Sequence, residues 1–191
     1  LSQDLNYNVM FSQRGVMNLA HNLQEVRDTQ RRINANRYNG VDGEWLTPAQ
    51  VQEIVPNINL NSRYPVLGGS FQRRGGVARH DAVAWGFARA ADRLGVHIIQ
   101  NCPVLNIRKK DGVVEGVETG KGFIKAKKVA VVVAGHSSVL AEMAGVRLPI
   151  ESHPLQALVS EPVKPCVHTV IMSNAVHAYI SQSDKGDLVI G

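Results

Sequence analysis

His80 stands immediately before a helix-like stretch, where backbone N–H groups favour an anion such as a phosphate. A neutral imidazole nitrogen there is also a competent nucleophile toward an electrophilic carbon. Arg79 beside it brings a guanidinium that can offset negative charge on a bound group. Position alone better fits a histidine that caps or packs, and fits an arginine that is merely solvated equally well.

His177 follows Asn174-Ala175-Val176 on an expected strand, and Tyr179 would share its face at period two. Both can line a cavity, although packing roles fit the same pattern. Val104 opens another expected strand. Ala134 and Gly135 follow an apolar run, and a small-residue turn there lets a pyrophosphate approach the main chain. A tight strand-to-helix turn is the alternative. His136, His153 and His168 form no metal spacing, and no Cys/His spacing suits zinc. Cys102 and Cys166 lie far apart and read as free thiols of a reducing compartment, the cytoplasm.

These residues need elements to hold them. A strand pair turning at Arg14-Gly15 is expected over Val9 to Leu19. Asn22 caps a helix to about Asn36, with Leu23, Val26 and Ile33 inward and Asp28 facing Arg32. Thr47-Pro48-Ala49-Gln50 is a capping box that opens a helix to Ile54, which Pro56 stops. Residues Asn57 to Gly76 look loop-like. A helix from Asp81 would bury Val83, Ala84, Phe87, Ala88, Ala91 and Leu94, with Gly95 ending it. Val96 to Gln100 reads as a strand. Three short strands follow at 104–108, 113–119 and 123–127, the first turn carrying the Asp111-Gly112 hairpin signal. Val129-Ala130-Val131-Val132-Val133 has the pattern of a strand covered on both faces. A helix over Val139 to Met143 and strands near 156–160, 170–172, 178–182 and 188–190 complete the pattern.

The 191 residues are 44% hydrophobic, enough for a sizeable core, and no run of eighteen apolar residues implies a membrane helix. Net charge is +5, but basic pairs are scattered and aromatics are only 5%, which argues against nucleic acid. The N-terminus lacks a signal-peptide pattern and a starting Met, and the sequence stops just after an apolar strand. A chain truncated at both ends is therefore expected. No G-x-G-x-x-G turn opens a βαβ unit.

Several stretches together carry a resemblance. Asn8 to Val16 (Asn-Val-Met-Phe-Ser-Gln-Arg-Gly-Val), Gly43-Glu44-Trp45-Leu46-Thr47-Pro48 and Ala78-Arg79-His80-Asp81-Ala82-Val83-Ala84-Trp85 are three of them. Ala134 to Leu140, Glu151 to Glu161 and Met172 to His177 are the others. Collinearly, over nearly the whole chain, they resemble the β subunits of heterotetrameric sarcosine oxidases.

The resemblance implies an α+β and α/β architecture: a partial glutathione-reductase-like FAD domain plus a mixed-sheet substrate domain. Expected boundaries are 1–77 for the substrate-domain part and loop, 78–145 for the FAD-domain part, and 146–191 for the return. It implies noncovalent FAD, approached by Val104 through its backbone and by Ala134 and Gly135. It implies covalent FMN on His80, with Arg79 and His177 beside it. The implied activity is oxidation of sarcosine to glycine, formaldehyde or methylene-tetrahydrofolate, and hydrogen peroxide, in a complex with α, γ and δ subunits. The protein orients and the flavins carry the electrons. Tyr179 is the one weak catalytic candidate. Oxidation or dehydrogenation of dimethylglycine or another N-methyl amino acid is the alternative, as is a non-catalytic assembly module. The chain alone is expected to bind FAD weakly and to be inactive. The Arg63 to Arg79 loop is expected on a surface that a partner subunit covers.

Overall fold

The computed structural model describes residues Leu1–Gly191. In chain order the elements begin α1 (Ser2–Leu5), β1 (Phe11–Gln13), β2 (Val16–Ala20), α2 (Leu23–Tyr38), β3 (Glu44–Leu46) and α3 (Pro48–Ile54). Next come β4 (Gly68–Gln72), β5 (Gly76–Ala78), α4 (His80–Arg93), β6 (Val104–Lys110), β7 (Val113–Thr119) and β8 (Gly122–Lys125). After a 3-10 turn at Ala134–His136 follow α5 (Ser137–Met143), β9 (Leu158–Pro162), β10 (Val170–Ser173), β11 (Ala178–Gln182) and β12 (Asp187–Ile190). The chain divides into two compact units, Leu1–Leu94 with Gln156–Gly191, and Gly95–Leu155. The cuts thus fall after 94 and 155, and α4 belongs with the first unit.

The first unit is built on a mixed seven-stranded sheet in the order β3-β4-β2-β10-β11-β12-β9. β2 is its hinge of direction: Met17 pairs with Phe71 antiparallel and with Ile171 parallel. Met17, Leu19, Leu46, Val51, Val55, Val66 and Phe71 form one buried cluster on this flank. Each such side chain contributes about 1.5–3 kcal/mol when fully buried. Helix α3 delivers Val51 to that cluster because its start is fixed. Thr47 accepts from the Gln50 amide while Gln50 reaches back to the Thr47 N–H at 2.9 Å.

Several expectations are corrected here. Residues 57–76 are not all loop, since β4 lies between β3 and β2. Its glycines hide it from a propensity reading, yet they are what the position requires. A Cβ on Gly68, at φ 139°, would lie 2.3 Å from the Trp45 ring, and one on Gly69 would lie 2.8 Å from the Asn18 carbonyl oxygen. β1 and β2 do not pair with each other. β1 pairs with β5 in a separate two-stranded ribbon, because Arg14 and Gly15 both donate their N–H groups to Gly75. In α2, Asp28 meets Arg31 at 3.3 Å rather than Arg32, and Leu23 is exposed while Ile33 is buried. In α4 the buried residues are Ala82 and Gly86, whereas Ala84, Phe87 and Leu94 face solvent. The small pair, one turn apart, lets α1 come close: a Cβ on Gly86 would sit 3.1 Å from Leu5. Arg89 stacks over Tyr7 and Arg93 donates to the Leu5 carbonyl at 2.8 Å on the same side.

The second unit holds the expected meander β6-β7-β8. Its first hairpin turns on Asp111 and Gly112, with φ of 49° and 79°, the left-handed pair that this sequence signal demands. Arg108 lies 3.5 Å over the Phe123 ring and Lys109 donates to the Ala144 carbonyl, fastening α5 to β6. Two expected strands are absent. Val96–Gln100 and Val129–Val133 join no ladder, and Val132 is 87% exposed. A strand exists only through its partners' N–H and C=O groups, and no strand of this chain lies alongside either run.

Candidate functional site

His80 is the first residue of α4, directly after the ribbon strand β5. It is exposed, and its imidazole makes no hydrogen bond to the rest of the chain. Arg79 before it grips Asp81 with two hydrogen bonds, of 2.8 and 3.2 Å. Hydrogen bonding from Arg79, then the Ala82 N–H, holds the Asp81 carboxyl below its ordinary range. The same contact raises Arg79. The helix start is thus braced by an ion pair and leaves the imidazole free.

Arg79 also lines a cleft of about 590 Å³ formed wholly within the first unit. Its walls include Met10, Phe11 and Val77, with Arg14 and Lys185 as further cations. That volume lies in the usual range for small-molecule and cofactor sites. Ser12 donates to Asp184 at 2.7 Å, Arg14 pairs with the same carboxylate, and Arg14 also donates to the Gln182 carbonyl at 3.0 Å. The Ser12 hydroxyl first, and then Arg14, keep Asp184 below the ordinary carboxylate range, so this carboxyl is ionised at neutral pH. Gln182 is itself buried and fully used. Its Oε1 accepts from Cys166 and Val167 at 2.8 and 3.1 Å, and its Nε2 donates to the Val163, Lys164 and Gly186 carbonyls. Ser12, Arg14, Gln182 and Asp184 were not singled out from sequence. Nothing local marks a Ser-Asp-Lys-Gly turn as the partner of a strand 170 residues away.

His177 is not on a strand. It ends the turn Asn174–His177 between β10 and β11, with φ 47° and its N–H bonded to the Asn174 carbonyl. A left-handed turn residue does not share a strand face with Tyr179, so that expectation is corrected. The turn follows Ser173, which pairs with Leu19 at the far end of β2, whereas the ribbon leaves from the Val16 end. His80 and His177 therefore stand at opposite ends of the large sheet. Near His177's end, His21 bonds Ser173 at 2.8 Å and the Tyr64 carbonyl at 3.1 Å. A carbonyl only accepts, so neutral His21 carries its proton on Nδ1 and Nε2 accepts from Ser173. Tyr179 lies on β11 and is 38% exposed.

In the second unit, Val104 opens β6, an edge strand whose outward main-chain groups are unpaired and so suit hydrogen bonding to a base. Ala134 has φ 47°, and Ala134 and Gly135 are exposed in a 3-10 turn. A Cβ on Gly135 would meet nothing nearer than Ser152 at 3.5 Å, so the main chain is open to a pyrophosphate. These features fit a dinucleotide. The free imidazole follows Arg79 of an apolar-walled cleft, which carries Arg14, Arg79 and Lys185 against Asp184 and Asp187 and has the volume for a flavin mononucleotide.

The chain belongs to the FAD dependent oxidoreductase family, which it matches over residues 1–191. It is 58% identical to the sarcosine oxidase subunit beta of Arthrobacter sp, with all of this chain covering 48% of that protein. It is 56% identical to the same subunit of Rhodobacter capsulatus, covering 46% of it. The structure superposes on L-proline dehydrogenase from P.horikoshii with TM-score 0.83 at 25% identity, over 100% of this chain and 50% of that one. The chain thus spans about half the length of the curated relatives it matches. No helix is long and apolar enough to cross a membrane.

Proposed function

We propose that this chain is part of a sarcosine oxidase β subunit. Its parent oxidises sarcosine with oxygen and water to glycine, formaldehyde and hydrogen peroxide, or passes the one-carbon unit to tetrahydrofolate. Identity of 58% to a β subunit over all of this chain, joined to a free imidazole at the start of α4, carries the reading. A noncovalent FAD and an FMN held on His80 supply the redox chemistry when bound.

The chain's own contribution is binding and orientation. Ala134 and Gly135 offer open main chain to the FAD pyrophosphate, and Val104 offers backbone groups to its adenine. His80 offers a ring nitrogen as nucleophile. Arg79 stands ready to offset flavin charge at the expense of its Asp81 contact. His177 serves this FMN only if the rest of the complex brings the cofactor to the far end of the sheet. Partner subunits α, γ and δ complete the assembly. The segment 63–79 holds β4 and β5 rather than one loop, but Arg73, Arg74 and Arg79 on it keep 65%, 61% and 49% of their side chains exposed and suit an interface.

The test is flavin on the polypeptide. The full-length subunit is expressed with its partners, precipitated in acid and digested. The peptide spanning Gly75 to Arg89 should carry one FMN mass, and His80→Ala should remove it while leaving extractable FAD. Flavin that stays attached in His80→Ala sinks the assignment.

A further inference from the structure

We infer that Asp184 is a positioning residue for His80, acting through Ser12, Arg14 and the β1–β5 ribbon. The inference rests on the reading of His80 as the flavin attachment point.

His80 follows β5 with only Arg79 between them, so the ribbon sets where the imidazole stands. The ribbon is not a member of the large sheet. Its own pairing is tight: Phe11, Ser12 and Gln13 match Ala78, Val77 and Gly76, and a Cβ on Gly76 would fall 2.0 Å from the Ser12 carbonyl oxygen. Two ties join it to the sheet. One is main-chain, from Arg14 and Gly15 N–H to the Gly75 carbonyl at 3.2 and 2.9 Å, and it fixes the base of the ribbon. The other is Asp184 in the β11–β12 turn, which takes Ser12 and Arg14 together, while Arg14 also reaches the Gln182 carbonyl. Only this second tie restrains the ribbon along its length. Ser12 stands directly opposite Val77, three residues from His80. Asp184 thereby controls the lateral position of β5, and through it the angle at which the imidazole meets a flavin in the cleft.

Forming the bond replaces one flavin C–H and the imidazole N–H by a C–N bond. Two electrons and two protons leave to dioxygen as hydrogen peroxide. The rate of this step depends on near-attack geometry, whereas flavin affinity depends on the cleft as a whole. Displacement by about 1 Å costs such reactions on the order of a hundredfold.

The experiment uses the full-length complex, prepared without FMN and mixed with excess FMN in air. Covalent flavin on the Gly75 to Arg89 peptide is followed over time. Asp184→Ala and Arg14→Ala should each slow attachment by about tenfold or more, and the double variant should be no slower than the slower single. Asp184→Glu should return to within about threefold of the wild-type rate. Ser12→Ala, which keeps every main-chain pair of the ribbon, should slow it by about twofold to fivefold. With the rate followed across FMN concentrations, Asp184→Ala should lower the limiting rate at saturating FMN by about tenfold or more, beyond any rise in the half-saturating concentration. Wild-type attachment rates in Asp184→Ala overturn the positioning role, as does slowing matched by an equal loss of FMN affinity. Absence of flavin from the wild-type peptide overturns the attachment reading itself and the inference with it.

Discussion

The two flanks of the large sheet are held by different forces. On the β3-β4-β2 flank, Met17 and Val51 are wholly buried within a continuous apolar cluster. On the β12-β9 flank, Leu158 and Val159 remain 65% and 67% exposed, and order comes from one buried amide, Gln182, bonded at every polar position. Apolar packing is non-directional and tolerates small shifts, whereas a saturated amide fixes loop positions to hydrogen-bond precision. The candidate chemistry is held by both, because the ribbon that leads to His80 grows from β2 and β4 while its Ser12 and Arg14 side chains are tied to Asp184 and the Gln182 carbonyl.

Breaking the apolar flank should have the largest effect. Met17→Ala in the full-length protein is expected to cost about 3 kcal/mol, from lost transfer energy plus a cavity under β2. A denaturant melt measures this, and a loss below about 1 kcal/mol would mean that the cluster relaxes around the gap. Gln182→Leu should cost about 2 kcal/mol, because the Cys166 and Val167 N–H groups and three carbonyls lose their partner. Here the local signature matters more than the total. Hydrogen exchange should accelerate at Cys166 and Val167 while β2 amides stay protected, and uniform acceleration would erase the contrast between flanks. Val159→Thr should change stability by less than about 0.5 kcal/mol, since its side chain is largely in water already. A larger loss would show that β9 is packed in the full-length protein.

Local signals in the sequence were legible wherever a short motif dictates geometry. Asn22 caps α2 through the Glu25 amide, the Thr47 box starts α3, and Asp111-Gly112 closes the β6–β7 hairpin. Strand positions in the return segment were legible for the same reason, from alternation. The Gly-rich β4 was not, because close approach of Trp45 and Asn18 outweighs its weak propensity. The inward face of α4 was misread because its most apolar stripe is not the stripe that touches α1. Val129–Val133 carries the pattern of a covered strand without a partner in this chain. At the candidate site, the family resemblance pointed to His80 and Arg79. The Ser12–Asp184–Arg14 contact was invisible, since it depends on a register between distant segments.

The parallel pairing of β2 with β10 has a consequence for synthesis. Val16 meets Val170, so the centre of the large sheet is completed only after the whole second unit has been made. The meander pairs neighbours along the chain and can form as it leaves the ribosome. β2 emerges early, with Met17 and Leu19 that are destined for the core, and waits. During that interval β4 is its one available partner from this chain, and the β2 edge that will receive β10 is unprotected. Synthesis of this chain therefore passes through a half-sheet with an open strand edge.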